Sequence, residues 1–190
     1  MDIEEAICKR RTIRRFKQDP IPSETLKKLI DYARIAPAGS NIQCVEYVIV
    51  EKPAMTDKMF PLVRWASSLP KEERTPEKGR EPTAYIIVLV NTDIKKSYFD
   101  YDVGAAVENI LLGAVSFGIG SCWMGNINGK KIRTLLEIPE NYEIKHVISL
   151  GYPDEISKIE PYEDSFKYWK EGNEMHVPKR TLDDVILKVL

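Results

Sequence analysis

The sequence predicts an α/β or α+β domain in which a sheet is covered by helices on both faces. Apolar segments of strand length alternate with segments whose apolar residues recur at helical spacing. Residues 84–90 form a continuous apolar run rich in isoleucine and valine, which is typical of a central strand buried on both faces. With 190 residues, 43% of them hydrophobic, the chain is long enough for one sizeable core and short for two. We therefore expect a single domain over residues 1–190.

The N-terminal part predicts two helices joined by a turn. Asp2 can cap a first helix, whose apolar residues Ile3, Ala6 and Ile7 share one face. A proline-containing turn at residues 19–22 follows, and Ser23 can cap the second helix. The apolar face of that helix consists of Leu26, Leu29, Ile30 and Ala33, and Pro37 ends it.

The next elements lead up to the central strand. Residues 47–50 predict a buried strand, and residues 56–66 a short helix. Residues 70–80 are polar, charged and interrupted by proline and glycine, so we expect the most mobile segment of the chain there.

The strongest helical pattern spans residues 103–114, and we expect this helix at the middle of the structure. Outside its apolar stripe, much of the helix surface consists of small residues, so that another helix can pack closely against it. These residues are Gly104, Ala105, Ala106 and Gly113. Residues 117–125 predict a helix end, a turn and a short strand that stops at a glycine. A helix over 130–136 and a strand over 142–151 complete the alternation.

The segment from residue 152 onward differs from the rest because aromatic residues are spread through a charged stretch without regular period. Such side chains are hard to bury within their own segment, so we expect them to pack on another part of the core or on a second chain. Lys179 and Arg180 then precede an amphipathic tail formed by Leu182, Val185, Ile186 and Val189.

Composition excludes several classes of function. The formal net charge of −1 lacks the basic excess of a nucleic-acid-binding protein. The three cysteines are far apart and form no CxxC pair, which argues against a zinc site and a disulfide framework. Because the N-terminus is acidic and no apolar run is long enough to span a bilayer, we expect a cytoplasmic protein with no membrane partner.

The arginine-rich segment at residues 10–14 is the main candidate for binding. Guanidinium groups hold phosphate through paired hydrogen bonds, and the Thr12 hydroxyl adds a neutral donor. A solvated helix end is the alternative interpretation of the same residues. The small residues at 38–41 form a loop that another molecule can approach closely. Together the two segments indicate a site for a phosphorylated cofactor.

Five motifs, in order along nearly the whole chain, resemble those of FMN-dependent nitroreductases of the short-chain kind. Residues 10–14 are similar to the family's R-R-S-x-R start, and residues 36–43 are similar to A-P-S-x-x-N-x-Q-P-W. The others are the glycine-containing stretch 118–125, Leu-Gly-Tyr-Pro at 150–153, and Pro-Lys-Arg at 178–180 ahead of Leu-Asp-Asp-Val at 182–185.

The resemblance implies that the chain binds FMN. Arg10, Thr12 and Arg180 are expected to hold the phosphate and ribityl end, with Arg11 beside them. Arg14 is expected near the pyrimidine edge, where a cation stabilises the negative charge of the reduced flavin. The implied cofactor-binding residues are Arg10, Arg11, Thr12, Arg14, Pro37, Ala38, Gly39, Asn41, Gln43, Trp123, Met124, Gly125, Lys179 and Arg180.

The resemblance also implies a mixed central sheet and an intertwined homodimer with FMN at its interface. The small-faced helix would contribute to the dimer core, and residues 152–190 would form an extension that reaches over the partner subunit. Folding and assembly would then be coupled.

The implied activity is that of an NAD(P)H-dependent flavin oxidoreductase. NADH or NADPH would deliver a hydride to flavin N5, opposite Met124 and Gly125, and a small oxidised acceptor such as a nitroaromatic or a quinone would replace it in a ping-pong sequence. Because FMN carries the chemistry, no side chain is expected to be catalytic, and this includes His146, His176 and Cys122.

The chain departs from the family pattern in the second motif. Cys44 and Val45 replace the usual Pro-Trp, and Ala38 and Gly39 replace the usual serine, so we expect backbone contacts rather than side-chain hydrogen bonds to FMN there. Two other interpretations stay open at this point. One is a non-catalytic flavin-binding sensor or carrier, and the other is a local basic patch that grips RNA.

Overall fold

A computed structural model describes residues 1–190, and its centre is a four-stranded sheet in the order β1-β2-β4-β3. Each pair of neighbouring strands is antiparallel. The strands are β1 (Val45–Val50), β2 (Ala84–Asn91), β3 (Gly120–Met124) and β4 (Tyr142–Gly151). Strand β2 is central and almost wholly buried, as its apolar run predicts. The prediction of a buried strand at 47–50 is only partly right, because β1 is an edge strand in which Val50 alone is fully buried.

Helices cover both faces of this sheet, which confirms the predicted layering. Helices α2 (Ser23–Arg34) and α5 (Asp100–Ser116) pack on one face around Leu29, Val107 and Ile148. Helices α3 (Pro53–Met59) and α6 (Gly129–Leu136) contribute Met59 and Ile132 to the core on the other face. The other helices are α1 (Ile3–Lys9), α4 (Lys71–Arg74) and α7 (Leu182–Val185), with 3-10 turns at Gly39–Asn41 and Phe60–Leu62.

The small surface of α5 allows the close helix contact that the sequence predicts. A Cβ placed on Gly113 would lie 2.6 Å from Cδ2 of Tyr32 in α2 and 3.1 Å from Cδ2 of Leu29. Gly104, by contrast, has nothing within 4 Å of its Cβ position. Thus α2 occupies one part of the small surface, and the part near Gly104 stays open in this chain.

Two sequence predictions between β1 and β2 need correction. The helix predicted over 56–66 ends at Met59, because Pro61 has no N–H to continue the helical bonding, and a 3-10 turn follows. The segment predicted to be mobile at 70–80 contains the short helix α4 and is anchored. Arg15 bonds to the Glu73 carbonyl and to both carboxylate oxygens of Glu77, and Arg80 pairs with Asp154 at 2.6 Å.

The C-terminal segment forms a second, three-stranded sheet in the order β5-β7-β6. Its strands are β5 (Ile156–Pro161), β6 (Trp169–Glu171) and β7 (Glu174–Lys179). Met175 is fully buried in the core beside α6, and Tyr168 packs against the same core. The tail from Leu182 onward is exposed. No helix of the chain has the length and apolar character needed to cross a bilayer.

Candidate functional site

The arginine-rich segment lies against the free edge of β3. It follows α1 directly, and the Ile13 N–H donates to the Ser121 carbonyl at 2.9 Å. Thr12 forms a parallel β-bridge with Ser121, although the strands of the sheet itself are antiparallel. The chain can lie this close because Gly120 has no side chain: a Cβ there would stand 2.8 Å from Ile13 Cβ. The segment is therefore held beside the strand that leads to Gly125.

Arg15, next to the predicted site residues, is the structural arginine of the segment. Its side chain is fully buried, and its guanidinium bonds to Glu77 at 2.7 and 3.0 Å and to the buried Glu155 at 3.4 Å. Hydrogen bonds from Arg15 lower the pKa of Glu77 to about 2. No local pattern in the sequence distinguishes Arg15 from its neighbours, because its partners lie far away along the chain. With all its charge neutralised, Arg15 has no capacity left for a ligand.

Arg11 and Arg14 have no such partners. The Arg11 Nε is buried and has no hydrogen-bond acceptor, and burial together with the neighbouring Arg10 lowers the pKa of the Arg11 guanidinium. The Arg14 guanidinium lies over the ring of Tyr168, 4.8 Å from its centroid, and forms no ion pair with a carboxylate. The backbone N–H of Arg14 donates to Glu155 at 2.6 Å, and the Arg14 guanidinium lies near the buried thiol of Cys122. Two partly buried cations thus lack anionic partners, which is costly unless a ligand supplies the negative charge.

Arg10 points to a different neighbour. Its Nε is 3.5 Å from an oxygen of Glu108, which lies on α5. Both side chains are partly exposed, so this ion pair contributes little stability and can exchange for a stronger anion.

The end of β3 presents the second predicted group, Trp123, Met124 and Gly125. Trp123 is exposed at 40%, whereas Met124 is buried. The Trp123 ring packs edge-on against His146, with 5.2 Å between the ring centroids. A Cβ at Gly125 would lie 3.4 Å from His146 Nδ1, and burial lowers the pKa of that imidazole. His146 therefore packs against the end of β3. The backbone of Gly125 is exposed, so a ligand can approach it.

The third predicted group, the loop at residues 37–43, is exposed and tightly bent. Its 3-10 turn spans Gly39–Asn41, and Ser40, Asn41 and Gln43 have positive φ angles of 53°, 56° and 54°. The Gly39 N–H donates to Oδ1 of Asp102 on α5 at 2.8 Å. A groove of about 660 Å³ runs along this loop between Ser40 and Tyr98.

Within one chain, this loop and the arginine-rich segment contact different parts of α5. Asp102 holds the loop, whereas Glu108, six positions further along the helix, pairs with Arg10. Six residues separate these contacts by about 9 Å along the axis and about 120° around it. No hydrogen bond or ion pair joins the two segments.

Lys179 and Arg180 form the last predicted group. They lie at and just after the end of β7, and both are exposed. The Arg180 guanidinium bonds to the Asp184 carbonyl of α7, and no bond connects it to the arginine-rich segment. The structure thus pairs Thr12 and Ile13 with Ser121, at the start of the strand that leads to Trp123, Met124 and Gly125. Within the chain, no hydrogen bond or ion pair links residues 10–14 to the 37–43 loop or to Lys179 and Arg180.

Comparisons with known proteins agree on one family. The sequence model of the nitroreductase family matches residues 7–152. A relative from Archaeoglobus fulgidus, provisionally named NADH dehydrogenase/NAD(P)H nitroreductase, is 33% identical over 169 residues, covering 84% of this chain and 90% of that protein.

Solved structures show the same fold. A crystal structure from Parabacteroides distasonis with the same provisional name has a TM-score of 0.66 and 27% identity, and the match covers 86% of this chain and 92% of that one. A provisionally named nitroreductase from Desulfovibrio desulfuricans, solved in complex with FMN, has a TM-score of 0.71 and covers 100% of this chain and 98% of its own. Its identity is 20%, so this likeness concerns the fold.

Proposed function

The chain belongs to the nitroreductase family, and from that premise we propose that it is an FMN-dependent oxidoreductase. It takes a hydride from NADH or NADPH and reduces a small oxidised acceptor such as a nitroaromatic or a quinone. The observation that carries this proposal is the pair of partly buried cations without anionic partners, Arg11 and Arg14, in the segment that lies along the edge strand β3.

The residues present fit a flavin phosphate. A phosphate monoester brings about two negative charges and three acceptor oxygens. It would satisfy the orphaned Nε of Arg11 and would exchange with Glu108 for Arg10. The Thr12 hydroxyl can add a neutral donor. On this proposal Lys179 and Arg180 add further positive charge from the end of β7.

The same residues also orient the ring. Bound FMN supplies a two-electron carrier that accepts a hydride from a nicotinamide and passes it to the acceptor in ping-pong order. Arg14, whose guanidinium packs on the ring of Tyr168, would supply the positive charge that stabilises a reduced flavin ring. Gly125 offers its backbone without a side chain, and Trp123 offers an exposed aromatic surface beside it.

A complete site needs a second copy of the chain. The exposed 37–43 loop and the arginine-rich segment contact parts of α5 that are about 9 Å apart and face different directions, so one chain's loop is poorly placed to cover its own arginines. We therefore propose a homodimer in which the loop of the partner subunit completes each FMN site. The exposed apolar tail, including Leu182, Val185 and Leu187, is proposed to lie across the partner.

The absorption spectrum of the purified protein tests this function. We expect a yellow protein that NADH or NADPH bleaches without oxygen, and that a nitroaromatic or quinone reoxidises. A coloured protein that neither nicotinamide bleaches would instead support a flavin-binding sensor or carrier. A colourless protein that binds RNA with strong salt dependence would contradict the proposal altogether.

A further inference from the structure

The 37–43 loop adopts a backbone conformation that is uncommon for residues other than glycine and asparagine. Ser40, Asn41 and Gln43 all have left-handed backbone angles, and none of them is glycine. Their side chains are exposed, so burial does not stabilise the bend. Such a backbone persists only where neighbouring groups hold it in place. Another part of the molecule must therefore fix this loop.

Asp102 makes contacts at both ends of the loop. Its Oδ1 accepts the Gly39 N–H at 2.8 Å, and the Cys44 thiol lies 3.9 Å from its Oδ2. The same Oδ2 accepts a hydrogen bond from Lys95 Nζ at 2.6 Å. The Asp102 side chain is 6% exposed and that of Lys95 is 12% exposed, so solvent screens this ion pair weakly. One buried carboxylate thus ties the start and the end of the loop to α5.

Lys95 keeps this carboxylate charged. Burial alone would raise the pKa of Asp102, but the Lys95 ammonium and the Gly39 N–H hold it below its ordinary value. The ammonium also lies close to the loop itself, since a Cβ at Gly39 would be 3.2 Å from Lys95 Nζ. The ion pair of Asp102 and Lys95 therefore restricts the position of Gly39.

We propose that Asp102, supported by Lys95, is a positioning residue for the FMN site. It acts through the backbone of Gly39, presetting the loop in the shape that receives the flavin, so that binding does not have to order the loop. This inference rests on the proposed function, because it assumes that the loop contacts FMN.

The test compares FMN affinity among matched variants of the full-length protein. Asp102→Asn keeps the shape of the side chain but removes its charge, and Lys95→Met removes the cation. Asp100→Asn makes the same chemical change in the same helical turn, at a side chain that is 74% exposed and contacts Lys145 instead. Lys95→Arg keeps the ion pair and serves as the conservative replacement. The dissociation constant follows from titration of each FMN-free protein with FMN, observed by quenching of flavin fluorescence, alongside thermal unfolding.

We expect Asp102→Asn and Lys95→Met each to raise the FMN dissociation constant by about tenfold or more, as for the loss of a charged hydrogen bond. Asp100→Asn and Lys95→Arg should stay within about twofold of the wild type. The circular dichroism of bound flavin should also change in the first two variants alone, which a purely structural role would not cause.

Equal affinity of the Asp102→Asn and Asp100→Asn proteins would overturn the inference. If Asp102→Asn does not fold, the comparison of Lys95→Met with Lys95→Arg decides in the same way. A wild-type protein that takes up no FMN contradicts the proposed function itself, whereas wild-type binding with unchanged variants contradicts only the role of Asp102.

Discussion

Gly120 lies directly opposite Gly151 across strands β3 and β4, and residues 12–16 pack on both glycines. A Cβ at Gly151 would stand 2.7 Å from Phe16 Cβ, just as one at Gly120 would meet Ile13. Real Cβ atoms do not approach so closely, so this glycine pair sets how near residues 12–16 lie to the sheet. The position of Arg11 and Arg14 beside β3 depends on it.

Gly151→Ala should therefore destabilise the protein by about 1–3 kcal/mol, the usual cost of forcing an extra methyl group into a packed site. Urea unfolding of the FMN-free protein measures this. Gly129→Ala is the matched control, because nothing lies within 4 Å of its Cβ position and it is the first residue of α6. A Gly151→Ala protein as stable as the control would show that the segment can move away at no cost.

The ion pair between Arg15 and Glu77 predicts a loss of stability in acid. The pKa of Glu77 is lowered from 4.5 to about 2 in the folded protein. Its carboxylate therefore stabilises the fold above the unfolded-state pKa, and this contribution is lost as the pH falls from about 4.5 to about 2. Glu77→Gln should cost about 1 kcal/mol at neutral pH, since solvent screens a side chain that is 52% exposed.

Urea unfolding at a series of pH values checks this. The stability difference between the wild type and Glu77→Gln should shrink as the pH falls below about 4.5. Glu24→Gln removes a carboxylate from an exposed pair with Lys27 and should differ little from the wild type throughout. Equal behaviour of the two variants would mean that Glu77 does not anchor Arg15.

Much of the fold follows from local sequence, whereas the site does not. The apolar run of β2 and the stripe of α5 determine their own structure, since hydrophobic burial acts on each segment as a whole. Arg14 and Arg15, however, are adjacent and chemically identical. Only the side chain of Arg15 bonds to Glu77 and Glu155, which lie 62 and 140 positions away, whereas Arg14 contacts Glu155 through its backbone N–H. Their different roles arise from tertiary packing that no local pattern encodes.

The loop at residues 37–43 gives a second example. Its small residues indicate a close approach, but three non-glycine left-handed residues within four positions, Ser40, Asn41 and Gln43, are not predicted by local sequence, even though asparagine tolerates this conformation. That conformation depends on Asp102, which the sequence places in a separate helix. The anchoring of residues 70–80 likewise depends on a distant arginine, which explains why a charged, proline-containing stretch is ordered.

Arg11→Met should separate binding from stability. Removing a partly buried cation that lacks a partner should leave the FMN-free protein as stable or more stable, by up to about 1 kcal/mol. FMN affinity should fall by about tenfold or more, because charge-assisted hydrogen bonds to phosphate are lost. Thermal unfolding and FMN titration measure the two effects. Arg34→Met, at an exposed pair with Asp31, is the control, and unchanged FMN affinity in Arg11→Met would exclude Arg11 from the site.

Arg10→Ala and Arg180→Ala test whether both ends of the chain serve one site. Each protein should retain less FMN after purification than the wild type, since each variant removes a cation proposed to contact the phosphate. The ratio of flavin to protein absorbance measures occupancy. If occupancy is unchanged in both variants, the phosphate is held elsewhere. A loss in Arg10→Ala alone would remove the C-terminal group from the proposal.

Mixing two defective chains tests whether each site is shared between subunits. Arg11→Ala damages the arginine-rich segment and Asn41→Ala damages the loop, so each homodimer should bind FMN poorly. In a heterodimer with shared sites, one site carries both defects and the other carries none. After joint unfolding and refolding of equal amounts, about a quarter of all sites should therefore recover wild-type affinity, because half of the dimers are mixed. If both groups came from the same chain, every site would keep one defect and mixing would restore nothing.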